Sequence, residues 1–290
     1  MFSGSMTALI TPFRDGQIDA EALGRLIEFQ IANGTSALVP CGSTGESATL
    51  THQEHAEVVG LVVKLAKGRV PVIAGTGSNS TAEAIALTRA AKEAGASAAL
   101  LISPYYNKPT QEGIYQHNKA IAEATGFPLI VYNIPARTGS KIEAPTIARL
   151  ADLEPIVGLK ESTGSLDEVQ EVIRLCGDRI EVYSGDDALT LPIMAVGGVG
   201  VISVAANAIP KQSAEMARAA LAGDWTTARR LHYDMLPFGR VLFLETNPIP
   251  IKAAMAMMGY CRDELRLPML PMSEAPRARL RSVMQQFGLV

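Results

Sequence analysis

Short, unbroken apolar runs rich in Val, Ile and Leu alternate along the chain with longer segments whose apolar residues recur at helical spacing. "MTALITPF" (6–13) precedes "DAEALGRLIEFQIANG" (19–34), and "SALVPCG" (36–42) precedes "THQEHAEVVGLVVKLAKG" (51–68). "VPVIAGT" (70–76) leads into 80–95, "AALLIS" (98–103) into 111–126, and "PLIVYNI" (128–134) into 143–153. "IVGLKES" (156–162), "IEVYSG" (180–185) and "VGVISVAAN" (199–207) open the last three units, whose helical parts fall at 165–177, 187–198 and 209–223. The runs are continuously apolar rather than alternating, as strands covered on both faces require. Gly34, Gly68, Gly95, Gly126 and Gly177 stand where helices should stop, and Thr51 and Ser80 where helices should start.

Eight strand-then-helix units in about 220 residues predict a closed parallel barrel, the (β/α)8 TIM fold, over residues 1–223. An open doubly wound sheet is the alternative, but no G-x-G-x-x-G follows the first strand. From residue 224 the strands cease. Segments 224–245, 247–259 and 273–288 read as helices, the first two separated by Pro248 and Pro250. Residues 224–290 are therefore expected to form a helical appendix packed on the barrel.

Composition narrows the function classes. Apolar residues make up 48% of the 290 and charged residues 19%, with net charge −3. No basic surface for nucleic acid and no run of about 18 apolar residues for a membrane is evident. Cys41, Cys176 and Cys261 are too scattered for a disulfide framework or a zinc site. The first residues lack the pattern of a secretory signal. A cytoplasmic protein acting on small molecules is expected.

In such a barrel the loops after the strands carry the chemistry. Those ends read "CGSTGES", "SPYYNKP", "VYNIPARTG", "GLKES" and "YSGDD". Of the nine lysines, Lys160 alone ends an apolar strand; the other eight fall in helical or loop segments where they can be solvated. Burial disfavours the ammonium form, and a neutral amine condenses with a ketone to a Schiff base. The plainer reading pairs Lys160 with Glu161, Asp186 or Asp187. In "GSTGES" (42–47), backbone amides with Ser43 and Thr44 can cradle a small anion, or form an ordinary turn. Tyr132 can shuttle a proton or merely line the core. Arg137 suits a carboxylate at the rim, or is a solvated loop charge. His52 and His55 share a helix face, but no third ligand suggests a metal.

Taken together, "GSTGES", "YYNKPTQEG", "YNIPARTG", "GLKEST" and "SGDD" closely resemble the dihydrodipicolinate synthase family, among the pyruvate-dependent lyases related to N-acetylneuraminate lyase. The resemblance runs from "GSMTALITPF" to "NPIPIKAAM". It implies Lys160 as the lysine that condenses with pyruvate. It implies Tyr132, Ser43 and Tyr106 as a proton-relaying hydroxyl set, Tyr106 coming from a neighbouring subunit. Thr44 would bind the pyruvate carboxylate, Gly185 and Ile202 would line the site, and Arg137 would receive the carboxylate of L-aspartate 4-semialdehyde. A second site for L-lysine at a dimer interface is implied at Ser47, Ala48, His52, His55, Asn79, Glu83 and Tyr105. A homotetramer of two dimers is implied, with no metal or organic cofactor. At Ser43 the family usually carries threonine and sialic-acid lyases carry serine, while Arg137 favours the semialdehyde over a sugar acid. An aldolase of the same chemistry acting on a sugar acid or hydroxyproline-derived substrate, and a silent barrel that binds a small acid as regulator, are the other readings.

Overall fold

A computed structural model describes residues 2–290. Eight parallel strands lie at Gly4–Ala8 (β1), Ala37–Val39 (β2), Ile73–Gly75 (β3), Ala98–Ile102 (β4), Leu129–Asn133 (β5), Ile156–Glu161 (β6), Glu181–Ser184 (β7) and Gly200–Ser203 (β8). Each pairs with its sequence neighbour, and β1 also pairs with β8. The ring closes between β2 and β3, where Leu38 N donates to Pro71 O (3.0 Å) and Gly75 N to Pro40 O (2.9 Å). The expected closed barrel is therefore present.

Helices α1 (Ala20–Ala32), α2 (His52–Ala66), α3 (Thr81–Glu93) and α4 (Gln111–Thr125) follow the first four strands. A short α5 (Pro135–Thr138) and α6 (Ala144–Leu150) follow β5, and α7 (Leu166–Cys176), α8 (Thr190–Ala195) and α9 (Pro210–Leu221) complete the ring. Their starts are chemical. Thr51 Oγ1 accepts from Glu54 N (3.2 Å) while the Glu54 carboxylate accepts from Thr51 N (2.8 Å), a reciprocal cap. Ser80 and Ser165 cap α3 and α7 in the simpler way.

The continuous apolar runs are explained by two cores. Leu38, Ala74, Ala99, Leu101, Leu129, Val131, Leu159 and Val182 face outward onto the helices. Met6, Ala8, Val39, Ile73, Leu100, Ile130, Tyr132, Tyr183 and Ile202 fill the inside. The first strand ends earlier than the run 6–13 suggests. After Ala8 the chain leaves the ring, and Phe13–Arg14 pair antiparallel with Gln17–Ile18 instead.

Beyond the barrel lie α10 (Trp225–Val241), α11 (Ile249–Met257) and α12 (Glu274–Gln286). Phe238, Val241, Ile251, Met255, Leu280 and Met284 form one core with Ile10, Leu26 and Ile209 of the barrel. This packing brings residues 247–252 against the loops at the mouth. No helix among the described residues is long and apolar enough to cross a membrane.

Candidate active site

Lys160 sits on β6 directly beside Tyr132 of β5 and Tyr183 of β7. Residues paired in parallel register point the same way, so all three side chains face the barrel interior. Lys160 is only 6% exposed, and its Nζ lies 4.2 Å from the centre of the Tyr132 ring. Burial holds its pKa down at about 7, against a pull upward from Asp187, with Arg137 pushing further down.

The carboxylates that could have neutralised Lys160 are engaged elsewhere. Glu161 accepts from Asn133 Nδ2 (3.2 Å) and the Thr163 amide (2.5 Å). Asp186 accepts from Ala188 N (2.8 Å). Asp187 is held by Ser203 Oγ and the amides of Val204 (3.1 Å) and Ala205 (3.0 Å). None of them forms an ion pair with Lys160, so the stitching role considered from sequence does not occur among the described residues.

Gly185 follows β7 against this lysine. A Cβ there would lie 2.9 Å from Lys160 Cε and 1.9 Å from Ser162 Oγ, so any side chain at this position would force both groups to shift. Ile202 on β8 is fully buried on the inner face. Burial pushes the Tyr132 phenol up to about 12; the Ser162 hydroxyl beside it pulls the other way without completing a hydrogen bond. Tyr132 therefore keeps its proton at neutral pH.

The "GSTGES" loop lies between β2 and α2. The amides of Gly45, Glu46 and Ser47 close onto carbonyls of the same turn, which leaves those of Gly42, Ser43 and Thr44 as the anion donors the loop has to offer. Ser43 is half-buried and Thr44 buried. Arg137, exposed on α5, donates from Nη2 to Asn247 O (2.7 Å). Tyr106 stands 88% exposed on the loop after β4 with φ +72°, so the single chain leaves it in solvent.

The second set is partly assembled. His52 Nε2 lies 2.6 Å from Glu83 Oε1, Ser78 Oγ donates to Glu83 Oε2, and Asn79 Nδ2 donates to Tyr105 O (3.1 Å). Ser47 and Ala48 lie in the turn just before α2. His55 is buried, with Nε2 2.7 Å from Gly75 O, and burial holds its pKa down. It is a structural neighbour of the cluster rather than a surface group.

Two features escaped the sequence reading. Asn247 donates from Nδ2 to Thr44 Oγ1 (3.0 Å), which turns the Thr44 proton toward another acceptor. Lys252 on α11 is not solvated, contrary to expectation. It is fully buried and ion-paired with the buried Glu46, its Nζ 4.2 Å from the centre of the Phe13 ring. Its helix is apolar nearly all round, "IPIKAAMAMM", and that is the signal that marks this lysine as enclosed.

A parallel (β/α)8 barrel with an unpaired, buried lysine at a strand end and a phenol beside it defines a lyase of the Schiff-base, class I aldolase type. The chain matches the model of the dihydrodipicolinate synthetase family over residues 1–287 and belongs to that family. It is 55% identical over 290 residues to a 4-hydroxy-tetrahydrodipicolinate synthase of Geobacter sulfurreducens, covering all of both chains. Among solved structures it is similar to the chloride-inhibited dihydrodipicolinate synthase of Acinetobacter baumannii complexed with pyruvate (45% identity, TM-score 0.98, all of both chains). It is also similar to the enzyme of Cyanidioschyzon merolae with lysine bound (39% identity, TM-score 0.96, 100% and 99% of the two chains).

Proposed function

We propose that this chain condenses pyruvate with L-aspartate 4-semialdehyde to 4-hydroxy-tetrahydrodipicolinate, in lysine and diaminopimelate synthesis, through an imine on Lys160. The observation that carries the reading is a buried strand-end lysine with no carboxylate partner and a pKa held near 7.

The neutral Nζ adds to the ketone carbon of pyruvate. The ketone oxygen takes a proton from the hydroxyl set around Tyr132 and leaves as water, giving a protonated imine. That cation draws electrons, so a methyl proton departs and an enamine forms. The enamine carbon attacks the aldehyde, whose oxygen is protonated to a hydroxyl. The amino group of the second substrate then adds to the imine carbon, closes the ring and displaces Lys160. Thr44, its proton turned outward by Asn247, binds the pyruvate carboxylate with the amides of the loop. Gly185 and Ile202 line the space, and Arg137 at the rim receives the second carboxylate. Ser43 and a partner subunit's Tyr106 extend the relay, which assigns the site to an assembly of two or more copies and fits a homotetramer.

L-lysine is assigned to the cluster of His52, Glu83, Asn79 and Tyr105, with Ser47, Ala48 and His55 around it. Glu83 meets the ligand ammonium, and Asn79 and Tyr105 its carboxylate. The lysine-bound relative supports this.

Borohydride reduction in the presence of pyruvate, followed by peptide mass, tests the chemistry. A lactyl-type adduct on the peptide containing Lys160, absent in Lys160→Ala, is expected. Product from aspartate semialdehyde, and none of the cleavage of N-acetylneuraminate, is expected in parallel assays. Full turnover by a folded Lys160→Ala protein would end the proposal. Turnover unchanged at millimolar lysine would end the assignment of the second site.

A further inference from the structure

The mechanism above leaves one buried hydroxyl beside Lys160 unused. Ser162 follows the last residue of β6, and its amide donates to Asn133 O (2.9 Å), so the ladder with β5 carries on through it. Strand alternation then places its side chain on the inward face, the same face as Lys160 two residues before. Its Oγ is closed off from solvent and has no hydrogen-bond partner among the described residues. A hydroxyl left in that state is costly, so a bound molecule that brings a partner gains by it.

The gap at Gly185 locates the group. A methyl placed there would meet Ser162 Oγ at 1.9 Å and Lys160 Cε at 2.9 Å, so both atoms border one small space. Nζ is one bond beyond Cε, and the ketone carbon one bond beyond Nζ. The oxygen still carried by that carbon after the amine adds is the substrate atom able to reach Ser162. We infer that Ser162 is a further catalytic residue, whose hydroxyl donates to the carbinolamine oxygen as imine forms.

The step balances without an added reagent. The C–O bond breaks with its electron pair going to oxygen, which takes a proton and departs as water. The nitrogen lone pair makes the new C=N bond. Ser162 passes the proton on and regains one from the Tyr132 phenol, which is protonated at neutral pH and faces the same hydroxyl.

This rests on the Schiff-base reading, and the test separates the two. In a two-substrate reaction of this kind, kcat/KM for pyruvate reports the steps through imine formation, and kcat/KM for the semialdehyde reports the later ones. In Ser162→Ala the first is expected to fall about tenfold, with the borohydride trapping rate falling alike, while the second stays within about twofold. Ser162→Thr restores the first. Ser162→Cys, of similar size but a weak donor, behaves like the alanine variant and stands in for it if alanine disturbs folding. Equal falls in both ratios that threonine does not repair would mark a structural role and overturn the inference. Unchanged trapping in Ser162→Ala would overturn it while leaving the Schiff base intact. No adduct in the unaltered protein would overturn both.

Discussion

Replacing Lys160 by methionine should make the protein more stable while destroying its activity, and the gain should depend on pH. An unfolded lysine titrates at 10.5 and Lys160 at about 7. At pH 7 the folded chain therefore holds this group about half charged while the unfolded chain holds it fully charged. At about 1.4 kcal/mol per tenfold, the mismatch costs the folded state about 4 kcal/mol. Between pH 7 and 10.5 the unfolded state binds more protons, so this part of the stability rises with pH. By pH 10 the penalty falls below about 1 kcal/mol. Methionine carries no charge, is nearly as long, and packs against the same Tyr132 and Tyr183 rings. Imperfect fit should return about 1 kcal/mol of the gain. Thermal unfolding of parent and variant, followed at pH 7 and pH 10, reads the difference. At about 2–4 °C per kcal/mol, the variant should melt on the order of 10 °C higher at pH 7 and nearly level at pH 10. A methionine variant no more stable than the parent at pH 7, or equally more stable at both pH values, would refute the view that Lys160 is held uncharged by burial.

The rate of pyruvate trapping by borohydride should rise through a single ionisation near pH 7 and level above it, because only the neutral amine attacks; a midpoint near 10 would contradict this. Gly185→Ala should lower kcat/KM for pyruvate at least a hundredfold, since its methyl cannot coexist with Ser162 Oγ and Lys160 Cε; ordinary trapping kinetics would show that the gap is not needed. Glu46→Gln should cost about 3–5 kcal/mol by leaving the Lys252 ammonium buried without its partner, and Glu46→Gln with Lys252→Met should recover most of it; denaturant melts of the three proteins measure both.

The barrel was legible because its signal is local. Each strand is an unbroken apolar run, each helix has a period and a cap, and Thr51 and Ser80 start helices as read. Lys160 and Tyr132 were legible for a related reason: a polar group at the end of such a run has nowhere to go but the mouth. Tyr106 carries no such signal, and its role came only from resemblance. Asn247 and Lys252 act through partners 203 and 206 residues away, Thr44 and Glu46, and no window of sequence contains both ends of such a contact. The appendix read as mere packing is therefore also the backing of the "GSTGES" loop, which depended on how α11 is laid against the barrel. Ser162 lies between these cases. Its inward direction follows from that of Lys160, but its missing partner becomes visible only once Gly185 of the next strand is placed beside it.

The chain buries two lysines at one end of the barrel, and their difference separates structure from chemistry. Both are pushed toward the neutral form by loss of water. For Lys252 the push is opposed at contact distance: Glu46 forms an ion pair with it, and the Phe13 ring covers its charge. An ammonium so matched has no lone pair to offer, and it serves to tie α11 to the loop that carries Ser43 and Thr44. For Lys160 the nearby carboxylates are bound to donors of their own and adjoining segments, and Asp187 acts on it only through space. The same desolvation therefore yields a strut in one place and a nucleophile in the other. What decides between them is where the neighbouring carboxylates spend their lone pairs. That makes the hydrogen bonds of Asp187 as much a part of the site as the lysine itself, because that carboxylate released toward Nζ would convert Lys160 into a second Lys252.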